Sequence, residues 1–209
     1  MKVAVFGGTG PAGKLLVDEL LAQRHVVVAY ARSPEKLAPR DGLTVVKGEL
    51  DDAPAIDGVI ARCEAVISLL GPSGKVVPGA LVRGTENVLA SMRTHGVRRI
   101  VALATPSARD PDDGRSFVFS FLVTMVRTFV RSAYEEIVAI AAAVRASDRE
   151  WVLVRVPFLT DAPATGLVRA GRPGGNVGTS LSRADLAKFA VEQLTSNAWI
   201  RRAPLISGP

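Results

Sequence analysis

VAVFGGTGPAGKLLVDEL, Val3 to Leu20, passes from a short apolar, β-branched run through a glycine turn straight into an amphipathic helix. Glycines 7, 10 and 13 fit G-x-x-G-x-x-G, and glycines 8, 10 and 13 fit G-x-G-x-x-G; the sequence leaves both registers open. Either one makes a phosphate cradle. The first glycine permits a tight turn, the middle one lets backbone approach a pyrophosphate, and the last lets the helix pack closely on the strand. Amides at the helix start face the anion and the helix dipole adds attraction, so Gly7, Thr9, Gly10, Pro11, Ala12 and Gly13 are the expected contacts. Pro11 suits a first helical position, where its missing N–H costs nothing. A second apolar run, Val26 to Tyr30, closes a βαβ unit. Leu15 occupies the place where a Walker-type loop needs Ser or Thr, which argues against that alternative.

Working outward, HVVVAYARSPEK reads as a buried second strand ending near Ala31. An NAD site usually carries Asp or Glu at that end, to accept from ribose hydroxyls. Here Arg32 follows, with Ser33 and Lys36 close behind, and a guanidinium forks onto a 2′-phosphate. The expected cofactor is therefore NADP. Glu35 is the competing partner for Arg32. LTVVKGELDD is a third strand with a turn at Gly48, after which Glu49 and Leu50 border the adenine and Asp51 or Asp52 caps a helix. Helix is expected over Ile56 to Arg62. EAVISLLGPSG is a fourth strand running into a glycine-proline loop, with Leu70 and Gly71 beside the cofactor. A helix over Pro78 to His95 ends at Gly96, and VRRIVALAT is the fifth strand, leading into Thr105 and Pro106.

Strands alternating with helices at this spacing imply an α/β fold with a doubly wound parallel sheet. Ligands of such sheets lie beyond the carboxyl ends of the strands, where every candidate above falls. The loop Pro106 to Ser116 borders the substrate side. Phe117 to Ser147 is a long helix or a broken pair. Its first half is apolar on nearly every side, which fits contact with another subunit or a partner protein through residues 117–130, a position under the active-site loops, or a core role. WVLVRVPFLTD is a sixth strand ending at Val156, Pro157 and Phe158 and putting an aromatic at the nicotinamide end. Residues 157–181 read as a small irregular lobe on the substrate side of a single domain spanning 1–209. Ser182, with Asp185 three residues on, starts the last helix, and APLISG is a final edge strand.

Composition narrows the function classes. Apolar residues are 48% of 209, enough for a core. The net charge of +6 comes from scattered Lys and Arg without a basic helix or aromatic stripe, which argues against nucleic acid. Arg127 and Arg131 interrupt the longest apolar run, and Met1-Lys2 leads directly into the first strand, so the expected setting is cytoplasmic, with no membrane partner. The single cysteine, Cys63, is expected to be a small buried hydrophobe. His25 and His95 form no set with it, so no metal is expected.

Taken together, GGTGPAGK, YARSPEKL, VKGELDD, VISLLG, RIVALAT and WVLVRVPFLTDAPATG resemble, in that order, the atypical short-chain dehydrogenase/reductases with an NAD(P)-binding Rossmann domain. The likeness is to the flavin reductase/biliverdin-IXβ reductase type and the NmrA-like proteins. It implies pyrophosphate on the glycine turn, the adenosine phosphate on Arg32, the nicotinamide ribose between the Gly71 and Thr105 loops, and nicotinamide lined by Val156 to Leu159. Two positions depart from the flavin reductase type: Thr105 stands for a serine and Phe158 for a histidine. The Tyr and Lys pair of ordinary short-chain dehydrogenases is absent, because Val138 follows Tyr134 at the lysine spacing. The implied activity is NADPH-dependent hydride transfer to a flavin-like, quinone or other conjugated small acceptor, with Thr105 as the candidate catalytic residue. The alternative is a non-catalytic NADP(H)-sensing regulator.

Overall fold

The computed structural model describes residues 1–72 and 77–209. In chain order it runs β1 (Lys2–Phe6), α1 (Pro11–Ala22), β2 (Val26–Ala31), β3 (Leu43–Lys47), α2 (Ala53–Ile60), β4 (Ala65–Ser68), α3 (Ala80–Thr94) and β5 (Arg99–Ala104). There follow α4 (Phe117–Phe129), α5 (Arg131–Ala146), β6 (Glu150–Arg155), β7 (Phe158–Thr160), β8 (Arg169–Gly171), β9 (Ser180–Ser182), α6 (Arg183–Glu192) and β10 (Leu205–Ser207). The main sheet has the order β3-β2-β1-β4-β5-β6-β10-β8. Every neighbouring pair is parallel except β10 and β8. The expected doubly wound α/β architecture is the one observed.

Helices cover both faces, which explains why the central strands read as unbroken apolar runs. Along β1 the side chains alternate: Ala4 and Phe6 join the layer of α2, α3 and α5, whereas Val3 and Val5 join that of α1 and α6. Trp151 is buried in the first layer and Trp199 packs against the second. Leu16, Val17 and Leu20 of α1 are fully buried, a contribution of about 1.5–3 kcal/mol for each large side chain. Asp52 is the cap of α2, accepting from the Ala55 amide at 3.0 Å. Gly96, at φ +69°, ends α3 as read from the sequence.

Three expectations need correction, and a fourth, left open between two forms, is resolved. The final strand β10 lies inside the sheet: Leu205, Ile206 and Ser207 are all buried, and β8, from the tract read as an irregular lobe, pairs outside it. β6 stops at Arg155 because Pro157 has no N–H for the ladder; Phe158 instead begins β7, which pairs with β9 in a separate two-stranded sheet. The second helix starts earlier, at Ala53, directly after its Asp52 cap, and ends at Ile60. Phe117 to Ser147 is a broken pair, α4 and α5 meeting at 117° around Val130. Only Phe119 and Val123 of α4 are buried, while Phe117 is 95% exposed and Phe121, Met125 and Phe129 are also exposed. A core role for this helix is therefore ruled out within one chain. Among the described residues no single helix is long and apolar enough to cross a membrane.

Candidate cofactor site at the carboxyl edge of the sheet

Because β1 to β6 run parallel, their carboxyl ends share one edge, and the residues that follow them are brought together there. Gly7 follows β1, Arg32 follows β2, Glu49 and Leu50 come after β3, Leu70 and Gly71 after β4, Thr105 and Pro106 after β5, and Val156, Pro157 and Phe158 after β6. The sheet order turns back between β1 and β4, the place where such sheets open a crevice. Residues 73–76 of the glycine-proline loop lie outside the described residues.

At the turn itself, backbone geometry chooses between the two glycine registers. Gly7 has φ +82°, and a Cβ there would stand 2.8 Å from the Leu69 carbonyl carbon, so the register beginning at Gly7 holds. A Cβ on Gly13 would fall 2.1 Å from the Gly7 oxygen, which is the close helix-to-strand approach the pattern encodes. At Gly10 a Cβ would meet only the Gly7 oxygen, at 3.6 Å, so the chain itself makes no steric demand there. Pro11 is at the start of α1, whose N-cap Gly10 offers no side chain. The Ala12 and Gly13 amides therefore find no acceptor among the described residues, a set of donors suited to an anion.

On the adenosine side Arg32 is exposed and makes no ion pair or side-chain hydrogen bond among the described residues; Glu35 does not occupy it. Lys36 is also exposed, and Ser33 precedes a short 3-10 turn, Pro34–Lys36. The loop bearing Glu49 and Leu50 is held by residues that the sequence reading passed over. Tyr30 Oη donates to the Glu49 carbonyl at 2.7 Å, and Asn87 Nδ2 donates to the Leu50 carbonyl at 3.0 Å. Burial, with Asp52, Glu49 and Asp51 nearby, pushes the Tyr30 phenol up to about 12, so it remains a donor. Gly48 passes against the Tyr30 ring and Gly84 against Leu50, each too close to carry a Cβ.

On the opposite side, Thr105 Oγ1 accepts from the Ser107 amide at 3.3 Å, which leaves its own proton free to donate elsewhere. The Val156 amide donates to the Ala104 carbonyl at 3.0 Å; Val156 is buried, whereas Phe158 is 58% exposed. A charged residue that the pattern WVLVRV concealed fixes the loop after β5. Arg155, 1% exposed, forks onto Asp113 at 2.6 and 2.7 Å and donates from Nε to the Ala203 carbonyl at 2.8 Å. Arg145 donates to the Ala108 carbonyl at 3.1 Å and pairs with Asp110 at 3.4 Å.

The remaining reactive side chains lie elsewhere. Cys63 is buried, donates to the Val59 carbonyl, and is pushed up to about 11 by burial, which fits a packing residue. His95 pairs with Asp57 between α3 and α2. Tyr134 shares a shallow recess with Arg127, Arg131 and Glu135, all on α4 and α5. Glu136, one turn of α5 that no local pattern flags, accepts from the amides of Gly79, Leu81 and Val82 and so closes the start of α3.

A parallel sheet with its turning point at β1, and a glycine turn leading into α1 there, defines a dinucleotide-binding Rossmann domain. The chain belongs to the NAD(P)H-binding family, which it matches over residues 7–197. It is 30% identical to (4-alkanoyl-5-oxo-2,5-dihydrofuran-3-yl)methyl phosphate reductase of Streptomyces griseus, across 99% of this chain and 68% of that protein. Among solved structures, the oxidoreductase ylbE of Lactococcus lactis superposes with a TM-score of 0.81 at 20% identity, covering 100% of this chain and 91% of that one. ChuY, an anaerobillin reductase of Escherichia coli O157:H7, gives 0.79 at 20% identity, with 100% and 98% covered. Both likenesses show the fold. The chain spans about a third of the length of curated reductases and hydroxysteroid dehydrogenases that match 51% of it. The resemblance to atypical short-chain dehydrogenase/reductases thus holds for fold and for the nicotinamide dinucleotide class of cofactor.

Proposed function

We propose that the protein is an NADPH-dependent reductase that passes hydride to a flavin, a quinone or another conjugated small acceptor. The observation that carries the choice of NADPH is the unpaired Arg32 at the end of β2, where an acidic residue would serve NAD. The fit of the dinucleotide rests on the open amides of Ala12 and Gly13 and the space above Gly10. Its residues divide the work. The turn from Gly7 to Gly13 holds pyrophosphate, Arg32 with Ser33 and Lys36 takes the 2′-phosphate, and Glu49 with Leu50 borders adenine. Leu70 and Gly71 with Thr105 and Pro106 flank the nicotinamide ribose, and Val156, Pro157 and Phe158 line the nicotinamide. When bound, NADPH supplies the hydride, and the chain's task is orientation. The free Thr105 hydroxyl proton hydrogen-bonds the acceptor. With no lysine beside Tyr134, the proton comes from solvent, which suits acceptors that need no strong side-chain acid. Relatives described as reductases, among them the Streptomyces griseus enzyme and ChuY, support this class of reaction.

Purified protein mixed with NADPH and FMN, or with a quinone panel, is expected to consume the reduced-cofactor absorbance, and Thr105→Val to slow it. Tight NADPH binding without turnover of any acceptor sinks the enzyme reading. It then favours the second one, a regulator whose cofactor state alters a protein contact. That reading draws on the missing Tyr and Lys pair and on the exposed apolar face of α4. A cytoplasmic setting belongs to both.

A further inference from the structure

Directly beyond Thr105 the chain builds a groove of about 190 Å³, lined by Pro106, Arg109, Arg115, Phe119, Val123 and Pro173 together with Asp110 and Asp113. Its walls are fixed. Asp113 is bound by the buried Arg155 fork and Asp110 by Arg145. Gly114 lies so close to Pro173 that a Cβ would stand 2.8 Å from the Pro173 carbonyl oxygen, and Arg172 pairs with Asp112 at 3.0 Å across the same seam. Both acidic side chains in the groove are thus already neutralised from behind. Arg109 and Arg115 are different: each is exposed and makes no ion pair or side-chain hydrogen bond among the described residues. The groove consequently combines two uncompensated guanidinium groups with an apolar wall from Phe119 and Val123.

We infer that this groove is an acceptor subsite for the anionic arm, a carboxylate or phosphate ester, of a largely apolar small molecule whose reactive ring lies at Thr105. The inference rests on the reading of the carboxyl edge as the nicotinamide end. A volume of about 190 Å³ is too small for a whole drug-sized ligand, for which pockets run to about 300–1,000 Å³, and it suits one arm of a molecule extending from the neighbouring site. Guanidinium forks recognise carboxylate and phosphate in two-pronged geometry, and the apolar wall carries the adjoining carbon skeleton.

FMN and riboflavin share one ring system and differ by a phosphate, so they isolate the charge. With the dinucleotide site saturated by NADP, calorimetric titration is expected to show FMN binding about tenfold more tightly than riboflavin. In the double variant Arg109→Gln, Arg115→Gln the preference is expected to shrink to within about twofold, with NADP affinity and riboflavin affinity unchanged. Competition by phenyl phosphate assigns the groove to phosphate esters, and competition by benzoate to carboxylic acids. Equal affinities in the wild type, no FMN binding, or a preference that survives both substitutions overturns the subsite. An FMN preference that follows the two arginines while NADPH goes unoxidised overturns the reductase reading and leaves the subsite standing.

Discussion

Asp113→Asn tests how the loop beside the proposed acceptor site is held. Arg155 is 1% exposed and the Asp113 side chain 13%, so their two short bonds, 2.6 and 2.7 Å, are made out of water. Asparagine keeps one acceptor oxygen but turns an NH2 group toward a guanidinium that has only donors, and the buried cation loses its counter-charge. Breaking one side of such a pair costs about 3–5 kcal/mol. For a chain of 209 residues, at about 2–4 °C per kcal/mol, Tm should fall by about 6–20 °C. Urea denaturation should give the same loss through the midpoint, with its slope unchanged. Replacing both partners, Asp113→Leu with Arg155→Met, should recover most of the loss, because no lone charge is left inside. Burial by itself raises the Asp113 carboxyl, but the Arg155 hydrogen bonds and the Asp110 amide outweigh it and hold the group below its usual range. The contribution is therefore complete above the ordinary carboxylate pKa, about 3.9, and is lost as pH falls through the lowered value. The gap between wild type and variant should close in acid. A loss under about 1 kcal/mol at neutral pH, or a double variant no more stable than Asp113→Asn, would refute the reasoning.

Three further outcomes are expected. Arg32→Glu should weaken NADPH binding by about ten- to a hundredfold while leaving NADH nearly unchanged, and an unaltered ratio of dissociation constants places the 2′-phosphate elsewhere. Gly13→Ala should cost about 1–3 kcal/mol, because its Cβ meets backbone at 2.1 Å, and should loosen the dinucleotide; Gly58→Ala, with nothing within 4 Å in α2, should instead gain up to about 1 kcal/mol. Equal melting temperatures for those two variants contradict the close packing of α1. Asp185 is buried; that alone would raise its carboxyl, but bonds from the Thr165 and Gly166 amides, the Ser182 hydroxyl and the Thr165 hydroxyl lower it on balance. Asp185→Asn should thus be less stable at neutral pH and converge with wild type in acid, in a melting series from neutral pH downward, and a gap independent of pH speaks against the carboxylate's role.

The parts visible in the sequence are those whose cause is local. The glycine spacing, the cap at Asp52, Gly96 after α3 and the Ser182–Asp185 pair each act within one turn of chain, and β1 to β5 announce themselves as apolar runs between them. The position of Arg32 was readable for the same reason, because it needs only the end of β2. What escaped depends on residues far apart. Strand order has no local signature, so β10 read as an edge although β8 covers it. Glu136 reaches the amides at the start of α3 from more than fifty residues away, and Asn87 reaches the Leu50 carbonyl from 37. Arg155 sits in an apolar run, and only its fork onto Asp113 shows why a charge is tolerated there. The groove after Thr105 is assembled from three separate stretches, the loop from Pro106 to Ser116, α4 and Pro173, and only the first of them borders the substrate side in the sequence.

The two tryptophans of the chain fall on opposite faces of the sheet, Trp151 with α2, α3 and α5 and Trp199 with α1 and α6. Each face therefore carries its own built-in optical probe. Emission from Trp151→Phe watches only the layer behind the glycine turn, and emission from Trp199→Phe only the layer beneath Tyr30 and the α3–α5 pair. Coincident unfolding curves from the two variants would mean that the layers melt as one cooperative unit, and separated curves would show which side of the sheet lets go first.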